Sequence, residues 1–258
     1  MELIDTHCHI QFDDNDGTSV SEILSSAKEA GVTRLICIGC TLQDSIAAID
    51  MAENNSGVFA TVGLHPHEAS KYINDKPSLE KVAKIVTEPG VVAIGECGLD
   101  YFYNNSPAED QKKLLRYQLD LAAKSNLPVV FHVRSAFDDF WTIYDEYVPK
   151  IKGVIHSFSS TKADLHAILD RELLVGLNGI VTFTKKNEQL DAVKSIPLNS
   201  LVLETDAPYL TPVPFRGTIN QPKHVRRVAE FLSGLRGESL EELALATTKN
   251  ALKLFGIE

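Results

Sequence analysis

Leu3-Ile-Asp-Thr-His-Cys-His-Ile10 reads as a core strand that starts almost at the first residue and carries two histidines near its end. Side chains alternate along a strand, so His7 and His9, two residues apart, face the same way. The same plan recurs outward along the chain. Short apolar runs rich in Val and Ile lie at Leu3–Ile10, Thr33–Gly39, Val58–Leu64, Val91–Gly95, Pro128–Val133, Gly153–Ser157, Leu173–Leu177 and Leu201–Glu204. Each is followed by a segment with helical spacing. Strands that are apolar throughout and separated by helices belong to a parallel sheet covered on its outside. Eight such units predict a single α/β domain over residues 1–258, a (β/α)8 TIM barrel with its site at the C-terminal face of the strands. An open doubly wound sheet is the alternative, and the lack of a glycine-rich dinucleotide loop after the first run weakens it.

The helices announce themselves locally. Ile23, Leu24, Ala27 and Ala30 share one face, and Gly31 stands where a helix ends. Ser106-Pro-Ala-Glu109 predicts a capping box with proline at the first helical position, followed by an apolar stripe of Leu115, Leu119 and Ala122. Ser239-Leu-Glu-Glu242 predicts a second capping box, opening the last helix.

Composition bounds the function classes. The 258 residues match the usual size of one barrel, about 250. A formal charge of −10 argues against a protein that coats DNA generally, but not against one that grips a few phosphates locally. No apolar run is long enough to span a membrane, and no basic-then-apolar leader opens the chain, so a cytoplasmic protein without a membrane partner is expected. No obligate protein partner is evident. Cys8, Cys37, Cys40 and Cys97 sit in apolar segments and read as strand-end thiols, Cys37 and Cys40 forming a lone CxxC.

The histidines locate the chemistry. Six of the eight, His7, His9, His65, His67, His132 and His156, lie at the C-terminal ends of apolar runs or just beyond. In a parallel barrel those ends share one face. The fourth run ends in Glu96, and the eighth in Glu204-Thr-Asp206. An ionised carboxylate buried at a strand end is costly unless it is paired or metal-bound. Imidazoles and carboxylates without thiolate suit Zn, Mn, Co or, less well, Mg. A hydrogen-bonded polar plug is the bland alternative.

The segments Asp5-Thr-His-Cys-His9, Gly63-Leu-His-Pro-His67, Gly95-Glu-Cys-Gly-Leu-Asp-Tyr101, His132-Val-Arg134, Glu204-Thr-Asp-Ala-Pro-Tyr209 and Pro212-Val-Pro-Phe-Arg-Gly217 with Asn220-Gln-Pro222 resemble those of TatD-type deoxyribonucleases. The resemblance runs in order from Leu3 to the last helix. It implies a metal-dependent hydrolase with two divalent cations per subunit, Mg, Mn or Zn. It implies His7, His9 and Asp206 as ligands of one ion, His132 and His156 as ligands of the other, and Glu96 between them. On that plan an activated water attacks phosphorus, with Asp206 and Glu96 as the catalytic carboxylates. Glu204 is expected to support a histidine ligand from behind. His65, Arg134, Arg216 and Tyr101 are candidates for substrate contact: the first three for phosphate, and Tyr101, with Phe102 and Tyr103, for bases. The implied substrate is nucleic acid, single-stranded DNA or DNA ends. Hydrolysis of another ester or an amide, such as an aminoacyl ester on tRNA, is the rival. A barrel that binds metal without catalysis is the more distant one. Ser135, Ser157 and Ser160 depart from the family pattern without removing a ligand.

Overall fold

A computed structural model of the chain describes residues 1–12 and 17–257. Its strands are β1 (Leu3–Cys8), β2 (Val32–Cys37), β3 (Val58–Val62), β4 (Val91–Asp100), β5 (Val129–Arg134), β6 (Gly153–Ile155), β7 (Leu174–Leu177) and β8 (Leu201–Leu203), with helical segments after each. The chain divides into two compact units, residues 1–37 with 157–258 and residues 38–156. In the first, β1 pairs with β2 and β7 with β8, all parallel, and a bridge between Cys8 and Ala207 ties the end of β1 to the chain just past β8. In the second, β3, β4, β5 and β6 pair in that order, again parallel. Every residue of β1, β6 and β8 is buried. That is why these runs lack the apolar–polar alternation of a strand with one wet face.

Helix boundaries follow side-chain chemistry. The helix Val20–Glu29 is capped by Ser19 and Glu22, buries Ile23 and Ala27, and gives way to Gly31 at φ +87°. Leu240–Phe255 opens with the expected box, Ser239 and Glu242 each satisfying the other's backbone N–H. The box expected at Ser106 does not form. Pro107 occupies the N-cap of the helix Ala108–Ser125 without a side-chain cap, because Ser106 is engaged elsewhere: its hydroxyl donates to the His67 carbonyl at 2.7 Å and accepts from the Ser70 N–H at 3.1 Å.

Two further departures shape the second unit. First, β4 does not stop at Gly95 but runs to Asp100. Its glycines permit this rather than end it. Gly95 and Gly98 lie at φ +117° and +154°, and a Cβ on Gly98 would stand 1.8 Å from the His132 carbonyl oxygen, so β4 and β5 approach more closely than any side chain allows. Second, the buried stripe of the helix Ala108–Ser125 is not purely apolar. Gln118 accepts from the Leu64 N–H at 2.7 Å and donates to the Leu64 carbonyl at 2.9 Å. Gln111 accepts from the Asp100 N–H at 2.8 Å and donates to the Asp100 and Ser106 carbonyls at 3.1 and 2.7 Å. Both glutamines thus fix backbone beside site residues, at the end of β4 and just before His65.

Gln111→Leu keeps the volume but strips partners from three buried backbone groups. Equilibrium urea unfolding should show a loss of about 3 kcal/mol or more, since each unsatisfied buried group costs roughly 1–3 kcal/mol. A loss under about 1 kcal/mol would refute the positioning role.

Candidate metal centre

In the unit of residues 1–37 and 157–258, the donors come from β1 and the loop after β8. His7 and His9 are buried, and their Nε2 atoms lie 3.5 and 3.4 Å from the same oxygen of Asp206. Backbone lacing sets this geometry: the Asp206 N–H donates to the His7 carbonyl at 2.8 Å, and the His9 N–H to the Ala207 carbonyl at 2.7 Å. Asp206 itself adopts the left-handed region at φ +58°. Behind these side chains, Asp5 accepts from the Thr205 N–H at 2.9 Å, the Thr205 hydroxyl at 2.6 Å and the His7 N–H at 3.3 Å. Burial pushes the Asp5 carboxyl well up against these bonds. Glu204 accepts from the Ser157 N–H at 2.6 Å and from the Asn178 amide at 3.1 Å. It therefore fixes the residue that follows His156 in the chain.

In the unit of residues 38–156 the focus is Glu96. One oxygen of its carboxylate lies 2.7 Å from His156 Nε2, 2.8 Å from His132 Nδ1 and 3.6 Å from His65 Nε2. The Cys40 thiol donates to the other oxygen at 3.5 Å. Burial opposes ionisation of Glu96, yet the imidazoles of His156, His65 and His132 outweigh it and hold the carboxyl well below its usual range. His65 is shifted the other way. Burial, reinforced by His132, keeps it well below the ordinary histidine value and so neutral near pH 7.

Asp100 is the functional residue that reading the sequence missed. It is fully buried, and one oxygen lies 2.9 Å from His132 Nε2 and 3.0 Å from His67 Nε2. Burial opposes its charge, and the hydrogen bonds from His132, Tyr103 and His67 overcome it, holding the carboxyl far below the normal aspartate value. The same bonds turn His132 Nδ1 toward Glu96. A carboxylate on the far nitrogen of a histidine fixes its tautomer and makes it a better ligand. The signal was present, because Glu96, Gly98 and Asp100 alternate on one side of a strand that continues past Gly95.

The donor chemistry fits divalent cations. A tetrahedral ion with ligands at about 2.1 Å separates them by roughly 3.4 Å, which is the spacing of His7 and His9 from Asp206. Two imidazole nitrogens, His132 Nδ1 and His156 Nε2, stand 3.2 Å apart on one carboxylate oxygen. If both carried protons toward Glu96 they would crowd each other, whereas both can point lone pairs at a shared cation. His65, Glu96 and His132 also offer three donor atoms within 4.8 Å of one another.

The remaining candidates make contacts of their own. Arg134 ends β5 exposed, its guanidinium carbon 4.2 Å from the centre of the Phe102 ring and 4.7 Å from that of Tyr103. Tyr101 is half-buried and donates its hydroxyl to Asp139 at 2.7 Å. Arg216 donates to the Thr211 carbonyl at 2.9 Å and packs over Phe183. Arg226 and Arg227 pair with Glu230 on an exposed helix face.

Comparison with known proteins agrees along the whole chain. The sequence pattern of the family described as TatD related DNase matches residues 4–256. The uncharacterized metal-dependent hydrolase YabD of Bacillus subtilis is 35% identical over 256 residues, 99% of each chain. The 3'-5' ssDNA/RNA exonuclease TatD of Escherichia coli is 34% identical over 243 residues, 92% of each chain. The crystal structure of YjjV, a TatD homologue from E. coli, superposes with a TM-score of 0.92 at 32% identity, covering 99% of this chain and 98% of that one. These likenesses show the fold to be the (β/α)8 barrel expected from the sequence.

Asp100→Asn keeps shape but removes the charge behind His132. Competition titration with a metal-sensitive dye should show one of two bound ions weakened about 10- to 100-fold, the usual effect of losing such an outer partner. Unchanged affinity at both would show that Asp100 only braces the loop.

Proposed function

We propose that this chain, which belongs to the TatD related DNase family of metal-dependent hydrolases, trims single-stranded nucleic acid from its 3′ ends by hydrolysing phosphodiester bonds. The observation that carries this reading is the convergence of three imidazoles on the ionised carboxylate of Glu96. The substrate and direction follow the named activity of the E. coli TatD exonuclease. The match from residue 4 to 256 supports one catalytic domain.

His7, His9 and Asp206 would hold one divalent cation, and Glu96, His132 and His156 a second. Bound divalent ions supply Lewis acidity, lowering the pKa of water and offsetting charge on phosphoryl oxygens. The chain's own residues do the rest. Asp206 has a side chain 16% exposed, against 6% for Glu96, which supports its role in taking a proton from the attacking water and passing it to solvent. Neutral His65 donates a hydrogen bond to a phosphoryl oxygen without adding charge. Arg134 has no ion-pair partner among the described residues and supplies a cation for a flanking phosphate. Glu204 holds the backbone beside His156 in place.

One feature supports a cytoplasmic site of action. Cys8, Cys37 and Cys97 are buried thiols. Among the described residues no helix is long and apolar enough to cross a membrane.

A 5′-labelled single-stranded DNA should shorten progressively from its 3′ end with Mg, Mn or Zn, and not in EDTA. Glu96→Ala should abolish the shortening. Asp206→Asn, its metal content measured alongside, should lower turnover by about 10²–10⁴, the range for losing a positioned base. If no metal supports shortening of DNA or RNA by a protein that binds the ions, the phosphodiester assignment falls.

A further inference from the structure

The second unit exposes two large aromatics side by side, and their neighbours say what covers them. Phe102 is 61% exposed and Tyr103 55%, their rings edge to face at 5.0 Å. Aromatic side chains left in water so close together, with a cation at their rim, mark a binding surface more often than a structural accident. The cation is Arg134, whose guanidinium lies over both rings at 4.2 and 4.7 Å. A guanidinium close over aromatic rings combines π surfaces with N–H donors in one place.

The ledge is fastened to the ligand set. Asp100 Oδ1 accepts from the N–H groups of Phe102 and Tyr103 at 3.0 and 2.9 Å, while its Oδ2 holds His132. His67, on the same Oδ2, meets the edge of the Tyr103 ring at 5.6 Å. One carboxylate therefore fixes both a metal-ligating imidazole and the backbone of the aromatic pair. A group seated on the rings is thereby held at a set distance from His132. The arrangement calls for a substrate with a flat π face one linkage from a phosphate.

We propose that Phe102, Tyr103 and Arg134 form a stacking ledge for a nucleobase adjoining the scissile phosphate, with the guanidinium edge toward the backbone. This rests on the nucleic-acid reading above and deepens it. The ledge takes any base, since every base has a π face, and it registers the strand end against the metal ligands through Asp100.

The test compares oligonucleotides that carry a natural base or an abasic residue at the last or the penultimate position, in wild type and in Phe102→Ala/Tyr103→Ala. Each protein serves as its own reference, because the readout is the ratio of kcat/KM for natural over abasic ends. Loss of one base stack is worth about tenfold or more. The wild-type ratio should therefore reach about ten at one of the two positions, and the double variant's ratio should fall to near one there. A ratio near one in wild type at both positions overturns the ledge, and so does an undiminished ratio in the double variant. Wild-type hydrolysis of bis(4-nitrophenyl) phosphate, run in parallel, separates the failures. If that base-free diester is cleaved and no oligonucleotide is, the nucleic-acid reading fails and takes the ledge with it. If oligonucleotides are cleaved with no preference for a base, only the ledge fails.

Discussion

A carboxylate held ionised where water scarcely reaches it is the constraint around which the second unit is organised. Glu96 is 5% exposed, and burial alone would protonate it. What prevents this is the set of imidazoles within 3.6 Å of one of its oxygens. They in turn must be aimed. His132 is aimed by Asp100, and Asp100 is placed by the Gln111 amide and by the close approach of β4 to β5 at Gly98. Each layer is a buried polar group satisfied by the next, so removing any one leaves an orphan rather than a softened contact. The network ends where it meets the aromatic pair, whose backbone N–H groups complete the shell of Asp100.

Backbone strain gathers at the same strand ends. Ser135 follows β5 at φ +55°, Ser157 follows His156 at φ +51°, and Asp206 stands beyond β8 at φ +58°. Left-handed geometry costs an ordinary residue roughly 1–2 kcal/mol. Small or polar side chains reduce that cost, and here each such residue turns the chain sharply just after a strand delivers its functional group. At Asp206 the turn is pinned by its N–H on the His7 carbonyl, which sets the carboxylate over both β1 histidines. At Ser157 it is pinned by Glu204. Strain that persists only because neighbouring bonds over-determine it is a mark of a functional position.

Much of this was legible in the residues. The fully apolar runs announced buried parallel strands, and the HxH at His7 and His9 and the residues at the strand ends announced polar groups that a core would otherwise exclude. Three things were not legible, each for a physical reason. The apolar run ends at Gly95, although Gly95 and Gly98 are what allows β4 to run on against β5, and Asp100 was lost with the truncated strand. Gln111 and Gln118 are absent from the apolar stripe of Leu115, Leu119 and Ala122, because periodicity cannot tell a solvated amide from one that pairs with buried backbone. Ser106 matched a capping pattern, yet a hydroxyl takes the best partners within reach, and the His67 carbonyl and the Ser70 N–H were nearer to hand than the helix end. Local rules failed where tertiary partners competed for the same groups.

The net charge of −10 bears on how such a site would take a polyanion. Proteins that hold nucleic acid along its length do so by releasing counterions from a run of lysines and arginines. Here Arg226 and Arg227 are matched by Glu230, so a strand finds little along that face to bind. At physiological ionic strength the distant carboxylates are screened within about 8 Å, and only charges near the site act on the reacting phosphate. Two divalent ions would bring four positive charges against the two carboxylates among their proposed ligands, which reverses the local field. A surface that repels the strand generally and attracts it at one point favours engagement of an end, where one phosphate and one base can enter without the following nucleotides lying along the acidic surface. Stacking would add a grip that salt does not screen. On the proposed reading the acidic surface and the exposed aromatics would serve one purpose, confining contact with a strand to the nucleotides beside the proposed metal ligands.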